Sequence, residues 1–185
     1  MTMLFALLLG AVTTEVPQII NSGFETVNEQ TETPVGWSYT SLPKKSHLVS
    51  YKTAVDPAGS DSRALSISVS SDHPNQRVAY NVHQDVQKFV AGKKYRVAAK
   101  VQARGLQTLP LIVVQCLDES GTKLLAFART EERQLKKDVE QWENVETELM
   151  VPEGTSTFRL RIGIPAEGNA GGTALIDDIH IIEVK

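Results

Sequence analysis

The chain of 185 residues has one cysteine, Cys116, so it has no internal disulfide framework. Cys116 lies inside the apolar run 111–117 with no basic residue beside it, which reads as a buried thiol and not as a nucleophile. Charge of one sign is equally scarce. The 19 Lys and Arg are set against 22 Asp and Glu, a net charge of −3, so the basic surplus of a nucleic-acid binder is missing. Aromatic residues make up only 6%, which limits the number of flat surfaces on which a ring can stack. Catalytic signatures are absent too. The sequence holds no Gly-x-Ser-x-Gly elbow, no phosphate-binding loop, no His-Glu-x-x-His and no zinc spacing. Asp177 and Asp178 are adjacent, so on a strand their side chains leave on opposite faces and cannot act as a glycosidase pair. The expectation is a protein without enzymatic activity.

Long hydrophobic runs are confined to the first residues. Residues 1–14 are mostly apolar, too short to span a bilayer as a helix, with small residues near Ala11 to Thr13. That pattern is similar to the core of a signal peptide, although no Lys or Arg precedes Lys44. Export is expected, with an N-terminal strand as the other reading. No cysteine follows the run, so a lipid anchor is not supported.

What the chain does have is period-two alternation. It predicts strands over 65–69, 80–86, 95–101 and 158–164, with a last strand over 173–184. The run 111–117 reads as a continuous apolar strand, turning at Asp118-Glu119-Ser120-Gly121 and returning over 123–128. A further strand is expected over 142–151, stopped by Pro152-Glu153-Gly154. Segments 26–34 and 52–62 read as loops, and 130–140 as a helical turn or a solvated loop. One domain over 17–185 follows, a β-sandwich or barrel.

Two acidic positions stand out within this frame. Glu25 lies in a loop near one end. Asp177 lies on an apolar strand near the other, sharing a parity with Leu175, Ile179 and Ile181. If the isoleucines mark the core face, Asp177 points inward and needs an Arg, backbone amides or a cation. Oxygen ligands of this kind suit a hard ion such as calcium. Asp178 should face solvent.

Several short motifs run through the chain in order. They are Asn21-Ser22-Gly23-Phe24-Glu25, Pro34-Val35-Gly36-Trp37, Ser62-Arg63-Ala64-Leu65-Ser66-Ile67, Val82-His83-Gln84-Asp85-Val86, Gly92-Lys93-Lys94-Tyr95, the segment 142–152, and Ile176-Asp177-Asp178-Ile179. Together they resemble the carbohydrate-binding modules of the galactose-binding-domain-like jelly-roll group, the kind attached to xylanases and related glycanases. The resemblance implies an all-β jelly roll of two antiparallel sheets with a polysaccharide as partner; a monomer is expected, secreted in keeping with the signal-like run, with no nucleic acid and no membrane span. It also implies a structural calcium held by Glu25 and Asp177, with loop 59–62 able to add oxygens. Trp37 and Trp142 match packing positions of the group.

For the ligand, the resemblance and the outward parities leave Tyr39 and Tyr51 as stacking candidates, with Tyr80 turned inward. The polar contacts would be His83, Arg96, Lys100 and Arg161 on an outward sheet face, and their charge would favour uronic or sulfated sugars. The competing reading of the same residues is a solvated outer sheet whose charges pair across strands. On that reading the chain is a jelly-roll domain for protein interaction or cell-surface structure.

Overall fold

In the computed structural model, residues 17–40, 42, 44–55, 62–76 and 78–185 are described; the signal-like run 1–14 and loop residues 59–61 lie outside the described residues. The described strands are β1 (Ser38–Tyr39), β2 (Val49–Val55), β3 (Arg63–Val69), β4 (Ala79–Val86), β5 (Lys94–Arg104), β6 (Leu111–Leu117), β7 (Leu124–Arg129), β8 (Val139–Met150), β9 (Thr157–Pro165) and β10 (Thr173–Val184). They form two five-stranded sheets in the orders β1-β4-β9-β6-β7 and β2-β3-β10-β5-β8. Every strand pairing is antiparallel. This is the expected jelly roll. A single turn of 3-10 helix at Ser46–Leu48 is the only helix among the described residues.

Alternation puts one side of each strand against the opposite sheet. Leu65, Ile67, Val82, Tyr95, Ile112, Val114, Phe158, Leu160, Ile162 and Ile176 interleave there with almost no exposure. Tyr80 is buried, and its hydroxyl meets His73 Nε2 at 2.9 Å. Cys116 is buried as expected, and burial raises its thiol pKa.

The structure departs from the sequence expectations in three places. Strand β2 occupies part of the segment 52–62 read as a loop. Residues 130–138 form the loop alternative, with Gln134 bridged to Thr108, but β8 begins at Val139, ahead of the expected 142. The third difference is on β10. Ala174 and Ile176 face the core before Asp178, and Ile179 and Ile181 face it after. The register against β5 slips by one residue between Asp177 and His180, and Asp178 adopts a positive φ of 50°. This is a β-bulge. Leu175 and Asp177 therefore belong to the outward parity, which corrects the reading of Asp177 as an inward core carboxylate.

The opening motif is fastened to the sandwich by polar groups. Asn21 donates its side-chain amide to the carbonyls of Thr26 (2.8 Å) and Val35 (2.9 Å). Trp37 is buried against Phe24 and donates its indole N–H to the Asn21 carbonyl at 3.2 Å. Gln84 on β4 donates to the carbonyls of Ile20 and Gly36, and its own oxygen accepts from Ile20 N at 2.7 Å.

Candidate functional site

The outward face of the first sheet carries side chains in rows set by the register. One row runs across all five strands as Ser38, His83, Arg161, Val113 and Arg129. The next runs Asp85, Arg159, Gln115 and Phe127. A third holds Asn81, Gly163 and Leu111. Gly163 is required here. A Cβ on it would stand 2.0 Å from the Tyr80 carbonyl oxygen and 2.6 Å from Asn81 Cα.

These side chains hold one another in place. Arg159 grips Asp85 with two hydrogen bonds, 2.6 and 3.0 Å, which hold the carboxyl pKa of Asp85 below its usual value. Arg161 donates to Gln115 Oε1 at 2.8 Å and to Asn81 Oδ1 at 3.1 Å. It is half-buried, and burial, together with the neighbouring Arg159, lowers its pKa. Burial and the two arginines also depress His83, whose Nδ1 is buried without a hydrogen-bond partner. At the border of the face stands Phe127 on β7, 59% exposed. Sequence reasoning missed Phe127 and Gln115. The edge strand β7 has no clean alternation, and only its register with β6 reveals which way Phe127 points.

The four polar contacts expected on one face are divided between two. His83 and Arg161 share the first sheet, whereas Arg96 and Lys100 lie on β5 in the second. On that second face Arg96 donates to Glu148 at 2.6 and 2.8 Å, and Lys100 pairs with Asp178 at 2.9 Å. Lys94 also meets Glu148, and Lys93 meets Glu183 at 2.7 Å. Here the charges do pair across strands. Gln102, on the outward parity of β5, is covered and only 3% exposed.

The two tyrosine candidates also separate. Tyr39 on β1 is 45% exposed. Tyr51 on β2 lies beneath it, with ring centroids 5.2 Å apart, and is 7% exposed. Its hydroxyl donates to the Thr40 carbonyl, and burial pushes its pKa upward. Tyr51 is thus not a surface platform, because β2 turns it toward the core; it supports Tyr39 from below.

Glu25 and Asp177 converge on Gly23. A Cβ on Gly23 would meet Asp177 Oδ1 at 3.6 Å and Glu25 Cγ at 3.9 Å. The Glu25 carboxylate accepts the Arg63 N–H at 3.1 and 3.2 Å, at the start of β3. Asp177 Oδ1 accepts the Asp178 N–H at 2.6 Å, and the Ser22 carbonyl accepts the Ile179 N–H at 3.0 Å. The bulge thus carries the last strand against the opening loop. No cluster of three or more His, Cys, Asp or Glu suited to a metal occurs among the described residues. A cation here would need backbone or hydroxyl oxygens besides the two carboxylates, which is ordinary for calcium.

No family model matches the sequence, and no curated protein is similar to it. Solved structures do match. The CBM22-1 xylan-binding domain of Paenibacillus barcinonensis Xyn10C aligns at a TM-score of 0.60 and 14% identity, over 89% of this chain and 92% of that one. This chain has the jelly-roll fold of that domain. The enzymatically active domain of tailspike protein 4 from bacteriophage CBA120 aligns at 0.62 and 16% identity, over 91% of this chain but 22% of that chain. A cyclase from Fischerella sp. TAU aligns at 0.57 and 15% identity, over 90% and 96%. At such identities the likeness concerns the fold. Binding domains and enzymes both use it, so the residues on the faces must carry any functional argument.

Proposed function

We propose that this chain is a non-catalytic carbohydrate-binding module that receives a polysaccharide on the outward face of the first sheet. The observation that carries this reading is the five-strand row of His83 and Arg161, flanked by Asn81, Gln115 and the Arg159–Asp85 pair and bordered by exposed Phe127. Amides and guanidinium groups fixed by their neighbours are directional partners for sugar hydroxyls, and Phe127 offers an apolar surface to a pyranose ring. The xylan-binding domain with the same fold supports the choice of ligand class. Two potential nucleophiles among the described residues are engaged otherwise: Cys116 is buried, and Asp85 is paired with Arg159.

A structural calcium ion at Glu25 and Asp177 is part of the same proposal. The approach of Asp177 Oδ1 and of the Glu25 Cγ to Gly23 supports it, and the ion would tie the opening loop to β10. Polysaccharides of this class are met outside the cytoplasm, in keeping with the signal-like run 1–14.

Titration calorimetry against xylan, galactan and acidic polysaccharides tests the reading. Binding is expected in the micromolar to millimolar range, because a largely polar site must shed water before contact. Phe127→Ala should weaken it about tenfold, whereas Arg96→Ala on the opposite face should leave it unchanged. Failure of every polysaccharide to bind would overturn the reading in favour of a protein-interaction domain.

A further inference from the structure

Arg161 differs from the other arginines on its face. Arg159 is neutralised by Asp85, and Arg129 lies 3.7 Å from Glu132. Arg161 is bonded only to the neutral amides of Gln115 and Asn81, and among the described residues no carboxylate forms an ion pair with it. A half-buried guanidinium without an ion-paired carboxylate is unfavourable on its own, and Asp85, bonded to Arg159, offsets this only through space. The two amides fix the orientation of its fork and supply no negative charge. His83, its register partner on β4, has a buried Nδ1 with no partner. The centre of the sheet thus holds one fixed positive charge with no ion-paired carboxylate and, beside it, one protonatable ring.

We propose that Arg161 and His83 form an anion subsite that takes the carboxylate or sulfate ester of an acidic sugar. This rests on the reading of this face as the sugar-binding face and specifies the class of sugar. A fixed guanidinium is suited to a planar carboxylate or a sulfate, because it presents parallel N–H donors. The charged groups facing His83 are Asp85 on its own strand and Arg159 and Arg161 on β9; Ser38 on β1 adds none. A bound anion favours the imidazolium, so affinity for a sulfated sugar should rise as pH falls through the histidine range.

The test is calorimetry on the full chain with four probes: glucuronoxylan, the same polymer after carboxyl reduction, polygalacturonate and a sulfated galactan. At low salt at least one acidic polymer should bind about tenfold or more tightly than the carboxyl-reduced xylan. About 0.5 M salt should close that gap. Arg161→Gln should abolish the preference, weakening the acidic polymers by about tenfold more than the reduced one. Arg161→Lys, which keeps the charge and loses the fork, should retain part of it and serves if the glutamine variant does not fold. Preference for the uronates alone identifies a carboxylate ligand, and preference for the sulfated galactan alone a sulfate ester; both support the subsite. Equal binding of acidic and reduced polymers, or a preference that survives Arg161→Gln, overturns the subsite and leaves the sugar-binding face standing. Binding of none of the four overturns both.

Discussion

At the scale of single residues, the first sheet shows how close packing and polarity meet. Gly163 sits where β4 presses against β9, and any side chain there would strike the Tyr80 carbonyl. Gly163→Ala should therefore destabilise the fold by at least ~2 kcal/mol, read from urea denaturation, because backbone must move to admit the methyl. His83 makes stability depend on pH. Its folded-state pKa lies below the ordinary 6.5, so the unfolded chain takes up the proton first. Stability should fall as pH drops below about 6.5 toward the lowered folded value, and His83→Gln should flatten that slope. Paired urea titrations at about pH 7.5 and about pH 5 measure it. An unchanged slope in the variant would place the acid sensitivity in other groups. Residue identity alone could not separate Tyr39 from Tyr51, since both are tyrosines in polar surroundings in the sequence. Their difference comes from β1 and β2 being the edges of opposite sheets.

At the scale of elements, strict alternation located most strands, because one wet and one dry face impose it. Strands β3, β4, β5, β6 and β9 begin and end within a few residues of their predicted bounds. β2 escaped because Thr53 and Ala54 are both half-buried and blur the pattern. β10 was located but misphased. Its apolar residues change parity between Ile176 and Ile179, a mark of one inserted residue that a uniform period overlooks. The division of Arg96 and Lys100 from His83 and Arg161 was equally hidden, since parity tells inward from outward but not which of two sheets a strand joins. Deleting Asp178 should restore continuous alternation while keeping Ala174, Ile176, Ile179 and Ile181 inside. The variant is expected to keep a β-type far-UV spectrum and to lose any calcium dependence of melting, since the bulge no longer delivers Asp177 to Gly23. Retained calcium dependence would show that the bulge is dispensable for the ion.

At the scale of the whole molecule, the proposed ion joins segments far apart in the chain, so its removal should be felt globally. A chelator should lower the melting temperature by several degrees, the shift expected when an ion held near a hundred times its dissociation constant contributes about 2.7 kcal/mol. Asp177→Ala should melt lower than the parent and no longer respond to the chelator. Identical melts of the parent with and without chelator would remove calcium from the account.

The strand order of the second sheet has a further consequence. β10, the last described strand in sequence, is the middle strand of its sheet, hydrogen-bonded to β3 on one side and β5 on the other. Until it arrives, β2-β3 and β5-β8 are two separate ribbons with exposed inner edges. During synthesis on a ribosome the sandwich therefore cannot close progressively from its first residues. It must wait as an open half-structure for the 12 residues of β10, which then zip both ribbons at once. Folding should be slow for its size, on the order of milliseconds to seconds. A nascent chain stalled before Thr173 should stay protease-sensitive throughout the second sheet.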